Sequence, residues 1–121
     1  MIVDQLHDTD ADLVFHALAD GTRRDIIGRT LQRGYSVSAL ARSYSMSFAA
    51  VQKHVAVLER ACLVTKQRHG REQIVHGNVH TIRTAHRLLD QFEQLWRQRL
   101  DRFGDVLADT RPTRPDEGAT P

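Results

Sequence analysis

Between Ser47 and Leu58 the chain reads Ser-Phe-Ala-Ala-Val-Gln-Lys-His-Val-Ala-Val-Leu, and no other run limits the possible folds as tightly. Ser47 is a good N-cap, because its hydroxyl can accept from a free amide of the first helical turn. Val51, Val55 and Leu58 recur at helical spacing and form one apolar stripe. At about 100° per residue the opposite face carries Ala49, Gln52, Lys53, Ala56 and Arg60. Small residues near the start of a helix let it sink into the major groove of DNA. Glutamine can pair bidentately with adenine there, and lysine can reach guanine or phosphate. An ordinary amphipathic helix with a solvated face has the same wheel, so its neighbours must decide.

Those neighbours are short helices. Thr9 or Asp10 can cap a first one whose buried stripe is Leu13, Val14, Ala17 and Leu18, and Asp20-Gly21 breaks it. Thr22 is placed to cap a second, with Asp25 three residues on as a shortened capping box. Ile26, Ile27 and Leu31 are expected inward, with Gly34 as a left-handed C-terminal residue. Ser36 caps a third helix with Val37, Leu40, Ala41 and Tyr44 on its core face, and only Ser45-Met46 separate it from Ser47. Two short helices joined by a tight polar turn make a helix-turn-helix, although this turn lacks the glycine often found there.

After Leu63 the periodicity changes. Val64 to Arg68 and Gln73 to His76 read as two strands around His69-Gly70-Arg71, a basic hairpin in the position of a wing. Asn78 can cap a last helix in which Ile82, Ala85, Leu89, Phe92, Trp96, Leu100, Phe103 and Leu107 recur every three or four residues. That stripe implies about 28 residues and roughly 40 Å of helix, more than a small winged domain covers from one side. A second copy is the economical cover. From Asp109 onward the chain holds all 3 of its prolines and nothing that builds a core, which predicts a disordered tail.

A chain of 121 residues has room for one modest core. Its net charge of only +2 is weak evidence for a polyanionic partner, but the distribution says more. Arg23, Arg24, Arg29, Arg33, Arg42, Lys53, Arg60, Lys66, Arg68 and Arg71 fall in the middle, among the carboxylates Asp25, Glu59 and Glu72 alone. Such a basic centre is the footprint expected of a nucleic-acid surface. A single cysteine, Cys62, excludes an intrachain disulfide, and neither a signal pattern nor a run of spanning length is evident. The expectation is a cytoplasmic protein with no membrane contact.

Taken together, Ala17-Leu18-Ala19-Asp20-Gly21-Thr22-Arg23-Arg24, the run from Met46-Ser47 to Leu58-Glu59, and Leu95-Trp96 resemble the ArsR-type winged-helix repressors over roughly residues 10 to 107. The resemblance is to the branch without an obvious metal site. It implies a homodimer on a palindromic operator, with the helix from Ser47 in the major groove and the hairpin near Gly70 on the flanking backbone or minor groove. By family position Ser47, Ala49, Gln52 and Lys53 face bases, Phe48 stands beside them, and His54 matches a polar position that the wheel puts on the flank. Arg68, His69 and Arg71 would position the wing on phosphates. The dimer interface would draw on Leu13, Ile82, Leu89, Phe92, Trp96, Leu100 and Phe103. The family often has glycine in place of Cys62 and serine in place of Gln52, so an operator sequence does not transfer.

Other chemistries find less support. Residues 37 to 44 lack the paired cysteines of thiolate metal sensors, and His80 and His86, six apart, cannot chelate together within one chain. His76, His80, His86 and Asp90 could meet only between subunits. Cys62 alone is a poor zinc or arsenite site and is expected to pack as a small hydrophobe. No glycine-rich phosphate loop, nucleophile elbow or HExxH run is present. The chain is therefore expected to be mainly α with a small β-hairpin, a winged helix-turn-helix of about five helices dimerising through its N- and C-terminal helices. One DNA-binding and dimerisation domain would span 1–108, with the tail at 109–121. The expected function is a DNA-binding transcriptional regulator, a non-enzyme with no metal or cofactor, partnered by double-stranded DNA and a second copy of itself; any small-molecule effector is left open. The alternatives are a metal- or thiol-responsive sensor of the same fold, or a protein-interaction module that does not bind DNA.

Overall fold

The computed structural model of the chain describes residues 8–110. Its elements run α1 (Asp8–Leu18), α2 (Gly21–Gln32), β1 (Tyr35–Ser36), α3 (Val37–Arg42), α4 (Phe48–Arg60), β2 (Val64–His69), β3 (Glu72–Gly77) and α5 (Val79–Thr110). Five helices and a three-stranded antiparallel sheet of order β1-β3-β2 make a winged helix-turn-helix. The packing divides at Leu88–Leu89 into two compact units. Helix α5 continues to Thr110, just past the expected start of the tail at 109, and the rest of that tail lies outside the described residues.

The first unit is built by the expected stripes. Val14 and Ala17 of α1, Ile26 and Ile27 of α2, Val37 and Leu40 of α3, and Val51, Val55 and Leu58 of α4 are buried in one cluster that Val64 and Val75 join from the sheet and Leu63 from the turn before it. Leu31 departs from its stripe: it is 42% exposed, and Thr30 is buried instead, its hydroxyl donating to the Ile26 carbonyl at 2.7 Å. A buried hydroxyl is tolerated there because the preceding turn supplies the acceptor.

Capping decides where the helices begin, and in two places it differs from expectation. Helix α1 is already formed at Asp8, so Thr9 and Asp10 lie within it. Helix α2 is capped by Asp20, not Thr22: the Asp20 carboxylate accepts from the Arg23 amide at 3.0 Å. Asp25 therefore closes no capping box and binds Arg29 and Tyr44 instead. The remaining caps are as expected: Ser36 accepts from Ala39 N, Ser47 from Ala50 N, and Asn78 Oδ1 from His80 N. Gly34 is not left-handed. Its role is space, since a Cβ there would stand 2.6 Å from His76 Cε1 and 2.8 Å from Ile74 Cγ2.

The sheet supplies the wing. β2 and β3 pair from Val64↔Gly77 out to His69↔Glu72, leaving a two-residue turn of Gly70 and Arg71. Gly70 has φ +65°, which suits glycine at the first central position of a tight hairpin turn. β1, which pairs through Tyr35↔Val75 and Ser36↔Ile74, has no counterpart in the sequence expectation. Two residues show no alternation to detect.

Candidate nucleic-acid interface

Helix α4 is held by its apolar side. Val51, Val55 and Leu58 are buried, while Ala49, Gln52, Lys53, Ala56 and Arg60 are all exposed. One short link, Ser43–Ser47, joins it to α3, so the pair forms the helix-turn-helix. Its C-terminal end is tied to the sheet by Lys66, whose Nζ lies 3.2 Å from Glu59 Oε1. Side chains alternate across a strand, so Arg68 shares with Lys66 the face of β2 that meets α4. His69, Gly70 and Arg71 form the exposed tip.

The cations of the central segment divide into two groups. Arg23 donates to Ala17 O (2.8 Å) and His16 O (3.0 Å), and Arg24 to Leu18 O (2.7 Å). These carbonyls lie in the last turn of α1, where arginines commonly supply donors, and that of His16 also accepts from Ala19 N at 3.1 Å. Arg29 is paired with Asp25 at 2.7 Å, and Arg33 lies 4.1 Å over the Tyr35 ring. Arg42, Lys53, Arg60, Arg68 and Arg71 make no ion pair among the described residues. Three of the five belong to the exposed face of α4 or the wing tip, and Arg68 adds the strand beside them. An unneutralised cation at such places is available to a phosphate.

A 31% identity over 96 residues, 79% of this chain and 87% of the other, links the sequence to the HTH-type transcriptional regulator Rv2034 of Mycobacterium tuberculosis. The ArsR-like transcriptional regulator of Rhodococcus sp. RHA1 superposes with a TM-score of 0.78 at 26% identity, over 85% of this chain and 94% of that one. The chain belongs to the ArsR family of winged helix-turn-helix transcriptional regulators. No family model matches the sequence. The regulator also shares its fold with Mb0332 of Mycobacterium bovis, solved as a homodimeric winged helix-turn-helix DNA-binding domain (TM-score 0.59, 22% identity, 71% of this chain and 81% of that one).

The structure brings the regulator's expected DNA-facing residues together on α4 and the wing, with one exception. Phe48, Ala49, Gln52 and Lys53 are exposed along α4, and Arg68, His69 and Arg71 along the hairpin. Ser47 is exposed too, but its hydroxyl is engaged as the cap. His54 differs: it is half-buried, with Nδ1 3.2 Å from Arg23 Nη1, and serves the contact between α4 and the start of α2. Of the expected dimer residues, Leu13 and Ile82 are half-buried against the core of their own chain. Leu89, Phe92, Trp96, Leu100 and Phe103 are exposed along α5, as are Leu95 and Val106.

Cys62 is a correction. It is exposed rather than packed, and its φ is +61°. Its carbonyl accepts from Thr81 Oγ1 at 2.6 Å and from Asn78 Nδ2 at 2.9 Å, which joins the end of α4 to the start of α5. The residues missed in the sequence are Asp20 and Arg23. Their signal was present in the Ala17–Arg24 motif, but a motif does not say which carbonyl an arginine will find. Among the described residues no helix is long and apolar enough to cross a membrane, and no group of three or more His, Cys, Asp or Glu is gathered for a metal.

Proposed function

We propose that the regulator binds a palindromic operator as a homodimer and represses transcription by occupying it. The observation that carries this reading is the division of the cations: of the five that make no ion pair, four lie on α4 and the wing. In this account Gln52 and Lys53 read base edges, with Ala49 and Ala56 giving clearance and Phe48 offering an apolar contact. Arg68, His69 and Arg71 hold the backbone, and the Ser47 end of α4 adds free helical amides toward phosphate. The exposed stripe Leu89, Phe92, Trp96, Leu100 and Phe103 pairs with its copy, as the homodimeric state of Mb0332 supports. A two-fold axis then requires an inverted repeat, with half-sites about one helical turn apart. A cytoplasmic location follows from that role.

Selection of duplexes from a random-sequence pool tests the proposal. An inverted repeat should emerge. A dimer neutralising on the order of 6–10 phosphates should lose roughly 10³–10⁵ in affinity between low and moderate salt. A pool that yields no enriched sequence would contradict it.

A further inference from the structure

Gln52 and Lys53 are exposed, whereas His54, the next residue on α4, is half-buried beside the start of α2. Arg23 Nη1 stands 3.2 Å from His54 Nδ1. A guanidinium has donors and no acceptor, so this bond forms only when Nδ1 offers its lone pair, with the ring's proton on Nε2. Arg23 is itself fixed from behind by the carbonyls of Ala17 (2.8 Å) and His16 (3.0 Å). Asp20 Oδ2, which accepts from the Arg23 amide, lies 3.9 Å from the same His54 nitrogen. One atom thus faces both a cationic donor and a carboxylate, and a proton decides which of them it can bind.

We infer that Asp20, Arg23 and His54 form a proton-sensitive pivot that sets how α4 is held, so that sequence selectivity falls when His54 is protonated. The inference rests on α4 being the base-reading helix. Protonated Nδ1 has no lone pair for Arg23, is repelled by the guanidinium, and turns its new N–H toward Asp20 Oδ2. Arg23 is anchored to two carbonyls, so the imidazole moves, and it carries the turn of α4 that bears Gln52 and Lys53. Of the other charged groups on the elements packed against α4, Arg24 is engaged with Leu18 O, Asp25 with Arg29 and Lys66 with Glu59, while Asp10, Asp12, Arg33, Arg68 and His69 are exposed. The His16 and Arg42 side chains are exposed, and His16 meets the cluster through its carbonyl. His54 is a positioning residue, acting on DNA through its neighbours.

The test uses the full chain, a duplex selected by it at about pH 8, and a shuffled duplex of the same composition, titrated at about pH 8 and about pH 5.5, the span in which histidines change charge. The ratio of the two affinities is the readout, because a change in overall charge with pH acts on both duplexes through the phosphate backbone they share. The ratio should fall roughly five-fold or more on acidification. In His54→Gln, whose amide oxygen can accept from Arg23 at either pH, it should stay level. A wild-type ratio that does not change, or a variant that follows the wild-type fall, would overturn the pivot. Nitrogen NMR of the unliganded wild-type chain gives a check that needs no variant. Neutral His54 should carry its proton on Nε2, and a proton on Nδ1 would overturn the pivot as well. Failure to select any duplex would instead contradict the DNA-binding reading, whatever the tautomer.

Discussion

Cys62 shows what one residue costs when the backbone asks for another. At φ +61° its Cβ crowds the chain, a conformation glycine adopts freely. The sequence resemblance marks this as a position where glycine is common, and the geometry supplies the reason. Cys62→Gly should therefore stabilise the fold by about 0.5–1 kcal/mol, the relieved strain exceeding the extra freedom of the unfolded chain. Urea denaturation measures it, and a loss of stability would contradict the strain argument. Tyr44 is a second case. Burial, and then its hydrogen bond to Asp25, push the phenol up to about 12, while that bond and Arg29 hold the Asp25 carboxyl below its ordinary value. The phenol's contribution to stability is present below its unfolded pKa and is lost as pH rises through the folded one; the Asp25 contribution is lost as pH falls. Of the chain's 2 tyrosines, one should ionise only near about pH 12 in an ultraviolet titration, and Tyr44→Phe should remove that late step.

At the scale of elements, periodicity and caps explain which parts of the fold were legible. Helix α4 was readable because Ser47, Val51, Val55 and Leu58 agree on one register, and its exposed face followed from that register without further information. Ser47→Ala should cost about 1 kcal/mol, the usual value of an N-cap, and should weaken DNA binding by disordering the first turn of the reading helix. Thermal melting and anisotropy check the two effects separately. Helix α2 was misplaced by two residues because Thr22 and Asp20 are both competent caps, and only the position of the Arg23 amide distinguishes them. β1 was invisible because its partner, β3, lies some forty residues away and its two residues carry no pattern of their own. His54, which matches a polar family position but sits on the flank of the wheel, could meet a phosphate or pack; a wheel reports the flank, and only the structure shows Arg23 beside it. What the sequence could not disclose was pairing: ten central cations look alike until Asp25, Glu59, the Tyr35 ring and the end of α1 claim some of them.

At the scale of the molecule, α5 beyond Leu88 is a compact unit whose large apolar residues are exposed. Phe92 is 60% exposed, Trp96 54% and Phe103 61%, which is more contiguous apolar surface than a free helix normally leaves in water. In the proposed dimer this surface is buried against its copy. Wild type should sediment as a dimer at micromolar concentration, and Trp96→Glu, which sets a charge in the seam, should dissociate it. A wild-type chain that remains monomeric at about 10 µM would exclude the paired-helix dimer at concentrations where a specific interface is normally occupied. Losing the dimer should also cost most of the operator affinity, because two half-sites are then no longer bound as one.

The central claim is that the exposed face of α4 reads base sequence. The most direct test is anisotropy of Gln52→Ala beside the wild type, on the duplex selected by the wild type and on its shuffled counterpart. Gln52 is exposed and makes no contact the fold needs, so the variant should fold normally. It should lose about 1–3 kcal/mol per half-site on the selected duplex and little on the shuffled one. Equal losses on both duplexes, or none on either, would contradict the claim.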